Sequence, residues 1–292
     1  MLWIISKELR LKGKPCVFRS AMPDEKTVKA ISEKIAASKK YRPLYRKTIT
    51  RLVIDCLKRY PSKQAEKSAR NLLHQIWDSY YQTRPDFKKL LEKLEENAKF
   101  VGGPTSHKLK EAVLPILQLQ SSIKERIFIL DDFYQRIFAA TGQPKSIIDW
   151  ACGLNPLSWP WMNLPKNCLY LGLDIDKEQN DFLNSAFEIA GKNNFQAELG
   201  DILANEAPQA DVIFLFKILP LLEHQQKGVS LDILKRMPAK FLVVSFPTKT
   251  ISGRQKGMVD FYSKQFHDLV RNQPWKVEKI LFPTELVFIV KK

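Results

Sequence analysis

Cysteine and histidine are scarce: four of each in 292 residues, with Cys16, Cys56, Cys152 and Cys168 never at C-x-x-C spacing. That argues against a structural zinc site or a disulfide framework, and makes a reducing cytoplasm the expected compartment. Long apolar runs are also missing, since none approaches the roughly 20 residues that cross a bilayer. The start, Met1-Leu2-Trp3-Ile4-Ile5, is apolar first and basic afterwards, the reverse of a secretory signal. Glycine and proline, at 11 and 17, are too few for a fibrous chain, and 45% hydrophobic residues are too many for a disordered one. Negative charge is the remaining shortfall: 31 Asp and Glu face 47 Lys and Arg, for a net charge of +16.

The excess is uneven. Residues 1–120 hold 26 basic and 12 acidic side chains, whereas residues 121–292 hold 21 and 19. A polyanion-docking module beside a nearly neutral domain explains this better than a solvated basic face. Lys39, Lys40, Arg42, Arg46, Lys47 and Arg51, with Lys58 and Arg59, form the densest candidate patch. Tyr41 within it is free to pack or to stack.

Helical periodicity dominates the first part, over 27–37, 44–60, 62 to about 81 with Ser62 as N-cap, 86–98 and 109–119. These predict a helical bundle. A further helix over 122–140 leads into short apolar runs alternating with helices. The predicted strands are 146–152, 168–175, 195–202, 211–217, 240–246, 277–282 and 285–291. Continuous apolar strands separated by helices imply a parallel sheet covered on both faces. Pro283-Thr284 is too short for a crossover, so the last two strands should form an antiparallel hairpin. The expected fold is therefore α/β with an N-terminal helical domain, and five parallel strands followed by a terminal hairpin resemble the class I S-adenosylmethionine (SAM)-dependent methyltransferase (Rossmann-like) sheet. The expected division is 1–25 an extension, 26–120 the docking domain and 121–292 the SAM domain.

Ligands of open α/β sheets lie beyond the carboxyl ends of the strands. The first strand ends in Asp149-Trp150-Ala151-Cys152-Gly153, where small residues let backbone approach a ligand. The second ends in Asp174-Ile175-Asp176, with Asp174 placed 21 positions after Gly153, where a ribose diol meets an acid. The third ends in Gly200-Asp201-Ile202, whose carboxylate suits an exocyclic amine. Each is weak alone, since a strand-end Asp is often a helix cap. Together they favour an adenosyl ligand, and the lack of G-x-G-x-x-G disfavours a dinucleotide.

Specific strings then carry a resemblance: Ala37-Ser38-Lys39-Lys40-Tyr41-Arg42, Lys124-Glu125-Arg126, Ala151-Cys152-Gly153-Leu154-Asn155-Pro156, Phe216 to Glu223, Ser245-Phe246-Pro247-Thr248, Gly253 to Met258, and Thr284-Glu285-Leu286. The sequence resembles the aminoglycoside-resistance methyltransferases that modify N7 of a guanine in the decoding site of 16S rRNA. That resemblance implies SAM as cofactor, no metal, and the 30S subunit as partner of a cytoplasmic monomer. It also implies that Arg126 clamps the methionine carboxylate and that Lys217 belongs to the cofactor site. Just before Lys124-Glu125-Arg126 the family often has His and Thr, where this chain has Gln120 and Ile123. Phe246 and Pro247 leave the fifth strand where an extruded base would stack, although a core aromatic fits the same pattern. Lys217 and Glu223 flank a family motif, with helix capping equally open. Lys249, Arg254 and Lys256 form a basic loop suited to phosphates. Guanine N7 has a lone pair and no proton to lose, so no acid or base is nominated. An adenine-N1 methyltransferase and a non-catalytic ribosome-binding factor are the competing readings.

Overall fold

The structure, a computed structural model, describes residues 22–77, 81, 83–98, 107–249 and 257–292. Arg254, Lys256 and most of the expected extension lie outside the described residues. Three helices come first: α1 (Glu25–Ala37), α2 (Arg46–Leu57) and α3 (Ser62–Ile76). Asp24 caps α1 by accepting the Thr27 N–H at 2.9 Å. Ile35, Ile49, Val53, Ala65, Ala69 and Leu73 close into one fully buried cluster between them. Burying each Leu, Ile or Val there contributes about 1.5–3 kcal/mol. Ser62 is the first helical residue and makes no cap bond; Pro61 holds the N-cap position.

Next come α4 (Phe87–Ala98), α5 (His107–Leu117), the short α6 (Ser121–Lys124) and α7 (Leu130–Thr141). Phe87, Leu94, Leu109 and Val113 join the apolar cluster on one face of the sheet and not that of α1–α3. The three-helix cluster thus ends at Ile76–Trp77, while α4 and α5 lay their apolar stripes against the sheet. The predicted helix over 122–140 is likewise broken, by a 3-10 turn at Ile127–Ile129 that follows Arg126.

The sheet holds β1 (Ser146–Trp150), β2 (Leu169–Asp174), β3 (Phe195–Leu199), β4 (Ala210–Phe216), β5 (Ala239–Pro247), β6 (Lys276–Leu281) and β7 (Glu285–Lys291), in the order β3-β2-β1-β4-β5-β7-β6. The first five strands run parallel, and β7 is antiparallel to both β5 and β6. β7 is buried from Glu285 to Val290 because helices cover both faces, whereas β6 closes the edge with exposed Lys276, Glu278 and Lys279. Such charges deter a further strand from pairing. Helices α8 (Trp159–Met162) and α9 (Lys177–Ile189) flank β2, while α10 (Leu219–Gln225), α11 (Val229–Arg236) and α12 (Met258–Val270) cover the other face. No helix among the described residues is long and apolar enough to cross a membrane.

One joint fixes the helical bundle to the sheet. Main-chain bonds run from the Tyr45 N–H to the Ile175 carbonyl (2.8 Å) and from the Lys177 N–H to the Pro43 carbonyl (2.9 Å). Beside them Asp176, 1% exposed, accepts both terminal nitrogens of Arg84 (2.7 and 2.9 Å) and the Trp77 indole N–H (2.8 Å). Arg84 also lies 4.6 Å over the Trp77 ring. Arg84→Ala would strand a buried carboxylate, so urea denaturation followed by Trp fluorescence should show a loss on the order of 3 kcal/mol.

Candidate active site

The strand order reverses between β1 and β4, and the crevice there opens beyond the carboxyl ends of β1–β4. It encloses about 1010 Å³, counting its open mouth. Eight of the nine predicted cofactor residues line it: Arg126, Asp149, Ala151, Asp174, Ile175, Asp201, Ile202 and Lys217. The ninth, Gly153, lies buried in the turn after β1.

That turn explains its own residues. Ala151 and Gly153 sit in the left-handed region (φ 53° and 52°). A Cβ on Gly153 would overlap the Gln120 side chain, which accepts the Leu154 N–H at 2.7 Å. The Gly153 N–H is thereby aimed at Asp174, 2.9 Å away. Asp149 faces inward: it accepts Asn155 Nδ2 (2.8 Å) and the Tyr170 hydroxyl (2.7 Å). Burial pushes its carboxyl up to about 6 against those two bonds. Asp149 therefore shapes the turn at the wall of the cleft, beside Asn155.

Asp174 behaves differently. Its oxygens accept one N–H each, from Gly153 and from Asp176 (3.2 Å), leaving further lone pairs for a diol. Burial raises its carboxyl to about 6, with the Gly153 N–H opposing the rise. At the tip of β3, Asp201 accepts the Leu203 N–H (2.9 Å) and the Arg51 Nε–H (2.9 Å), with Arg51 Nη2 ion-paired to it at 2.9 Å. Ile175, Ile202, Ile218 and Leu221 supply the apolar middle of the cleft.

Across the cleft stands Arg126, 2% exposed, between the Phe133 and Phe216 rings at 4.4 Å each. Its fork is held by Glu285 (3.0 and 2.6 Å), and Nη1 donates to Asn155 (2.6 Å). Three of its five N–H donors are thus engaged, and two remain for a carboxylate. Arg126 and Lys217 hold the Glu285 carboxyl below its usual range despite complete burial. Lys217, at φ 56°, donates to the Ser122 carbonyl (3.0 Å) and to Glu125 (2.7 Å). Cys152 also lines the cleft; burial beside Asp174 and Asp149 raises its thiol well above the ordinary value.

Several expected roles change. Arg51, predicted to meet phosphate, turns inward to Asp201 and Gln225 because α2 presents that side to the sheet. Tyr41 is buried against Trp77 and donates to the Arg70 carbonyl. Phe246 is 4% exposed, stacked on Tyr262 and edge-on to Phe266, so it is core and not a platform for a base. Pro247, half-buried, ends β5 opposite Glu285. Glu223 caps α11, accepting the Gly228 and Ser230 N–H groups. Lys39, Lys40, Arg42, Arg46, Lys47 and Lys249 are exposed. Sequence reasoning missed Glu285 and Asn155 as orienters of Arg126. Both belong to the strings that carry the resemblance, but a pairing across 159 positions leaves no local signal.

A polar, zwitterion-sized end at Arg126, an apolar middle and an acid at the tip of β2 fit S-adenosylmethionine. So do buried polar atoms of Thr48 and Gln179 that line the cleft without a partner. This sheet and site define a class I SAM-dependent methyltransferase. Residues 37–289 match the profile of one family in particular, described as Ribosomal RNA methyltransferase (FmrO), and the chain belongs to that family. It is similar to the 16S rRNA (guanine(1405)-N(7))-methyltransferase of Proteus mirabilis, 34% identical over 274 residues, covering 91% of this chain and 97% of that protein. That of Frankia casuarinae is 32% identical over 273 residues, covering 92% and 95%. Among solved structures, the 16S rRNA methyltransferase RmtF in complex with S-adenosyl-L-homocysteine is 30% identical, with a TM-score of 0.77 over 92% of this chain and 100% of that one. The 16S rRNA methylase RmtB is 28% identical, with a TM-score of 0.72 over 91% and 98%.

A diol is held best by the ionised carboxylate, so affinity should fall as pH drops through about 6, where Asp174 takes up its proton. Asp149, also at the cleft wall, titrates in the same range with Asn155 and Tyr170 bonded to it, and Asp174→Asn separates the two contributions. Calorimetry with S-adenosylhomocysteine between pH 5 and 8 should show that fall, and Asp174→Asn should weaken binding roughly tenfold or more at pH 7 and flatten the profile.

Proposed function

We propose that this protein transfers the methyl group of S-adenosylmethionine to N7 of a decoding-site guanine in 16S rRNA of the 30S subunit, giving resistance to aminoglycosides. The observation that carries the reading is where the basic segment sits. Lys39, Lys40, Arg42, Arg46 and Lys47 are exposed on the stretch whose Pro43 and Tyr45 are bonded to the tip of β2, at the edge of the cofactor cleft. RNA phosphates gripped there lie beside the methyl-donor site. The named relatives, guanine-N7 enzymes at 34% and 32% identity, favour N7 over adenine N1.

In this reading Asp174 takes the ribose diol, Ile175 and Ile202 flank the base, Asp201 faces the ring amine with Arg51 as its counter-ion, and Arg126 with Lys217 receives the amino-acid end. The bound donor supplies an activated methyl on a sulfonium. The chain's own residues contribute alignment and exclusion of water, worth on the order of 7–11 kcal/mol at best. The target N7 is hidden in the deep major groove of duplex RNA, so the guanine must leave its stack. The methyl then adds bulk and positive charge where a cationic drug would approach. The protein works as a cytoplasmic monomer on assembled subunits, whose surface presents the phosphates in register.

Incubation with 30S subunits and methyl-labelled SAM, followed by mapping of the modified nucleotide, tests this directly. Label on a guanine N7 is expected; label on an adenine, or none in RNA, overturns the reading. Replacing Lys39, Lys40 and Arg42 by Ala should leave S-adenosylhomocysteine affinity unchanged. The log–log salt slope of 30S binding should drop by about 0.7–0.9 for each phosphate-binding cation removed.

A further inference from the structure

We infer that Thr48 of α2 and Gln179 of α9 bind the adenosine half of the methyl donor, so that the helical bundle supplies one wall of the donor site itself. This rests on the cofactor reading above. Thr48 is 0% and Gln179 2% exposed, both line the cleft, and Thr48 Oγ1 and Gln179 Nε2 have no hydrogen-bond partner. Buried polar atoms in native proteins are paired, and an orphan at the wall of a binding cleft points to a partner that arrives with the ligand. The rest of the Gln179 side chain is already committed. Its carbonyl accepts the Tyr81 hydroxyl at 2.6 Å, which sets the amide so that Nε2 is the free end. The Gln179 N–H is held by the Asp176 cap.

Their neighbours say which end of the donor they meet. Arg51, one helical turn beyond Thr48, pairs with Asp201 at the tip of β3, and Gln179 lies in the first turn of the helix after Asp174. Both are thus on the β2–β3 side, with the acids assigned to the diol and the ring amine. The groups assigned to the amino-acid end, Arg126 and Lys217, stand with Glu285 on the other side. A threonine hydroxyl both donates and accepts, which suits the edge of a purine, and a glutamine Nε2 donates, which suits a ribose or ring acceptor. Helix α2 also carries exposed Arg46 and Lys47 in its first turn. One element therefore touches the donor on its inner side and offers cations on its outer side, so any effect of 30S docking on donor affinity must be returned in equal measure.

The test is calorimetry of wild type, Thr48→Val and Gln179→Met with two probes, S-adenosylhomocysteine and 5′-methylthioadenosine, which keeps the adenosine but lacks the amino acid. Each variant should bind both probes roughly five- to tenfold more weakly, as expected for one lost hydrogen bond. The thermal midpoint of ligand-free Thr48→Val should stay level or rise, because an unsatisfied polar atom has been replaced by carbon, whereas that of Gln179→Met should fall, because the Tyr81 hydroxyl loses its acceptor. Lys217→Ala should weaken S-adenosylhomocysteine and spare 5′-methylthioadenosine. Wild-type affinity for both probes in Thr48→Val and Gln179→Met overturns the inference while leaving the cofactor reading intact. Weakening confined to S-adenosylhomocysteine overturns the assignment to adenosine. No binding of either probe by the wild type brings down the cofactor reading and this inference together.

Discussion

The donor cleft depends on one buried carboxylate. Asp176 is reached by the Trp77 indole, by two nitrogens of Arg84 and by the Gln179 N–H, so its charge is both neutralised and fully hydrogen-bonded. A charge taken out of water demands such company. Here the company comes from two parts of the fold: Trp77 ends the helical bundle, Arg84 lies in the linker beyond it, and Gln179 opens the helix after β2. Satisfying Asp176 therefore places Thr48, Arg51, Ile76 and Trp77 over the tips of β2 and β3. Without that placement the crevice at the switch point would be an open trough, with Ile175 and Ile202 facing solvent.

A second buried pair, Arg126 with Glu285, does the corresponding work on the opposite wall. The broken helix between Ser121 and Thr141 puts Arg126 at the break, and Glu285 is the first residue of β7, so the pair ties the end of the sheet to the segment crossing its face. Asn155 belongs to the same network, accepting from Arg126 and from the Tyr134 hydroxyl while donating to Asp149. A polar network this deep is worth having only when every member is satisfied. Arg126 keeps two donors spare, and Asp174 on the opposite wall keeps spare lone pairs, so both can still take a ligand.

Strand positions were legible because a doubly covered parallel sheet writes itself as uninterrupted apolar runs; β7 was read at its observed limits, and the Pro283-Thr284 link fixed the terminal hairpin. The register of Gly153 and Asp174 at 21 positions was readable for the same reason, since a β-turn-α-β unit has little freedom in length. What failed was the facing of individual side chains. Arg51 looks like its basic neighbours in sequence, yet helix geometry turns it a different way from Arg46 and Lys47. Phe246 and Tyr41 carried two readings each, and the choice rested on neighbours such as Tyr262 and Trp77 that no local pattern names. Which core α4 and α5 cover was not legible, because amphipathic helices do not declare it.

Cys152 has a consequence of its own. A sulfonium donor alkylates any good nucleophile within reach, and a thiolate is the best one proteins make. This chain places a sulfur in the wall of its donor cleft, yet sets it between two carboxylates with water kept away, so the thiol holds its proton well beyond neutral pH. Burial first, and the neighbouring Asp174 and Asp149 second, thereby keep the nucleophilic thiolate scarce in the donor cleft.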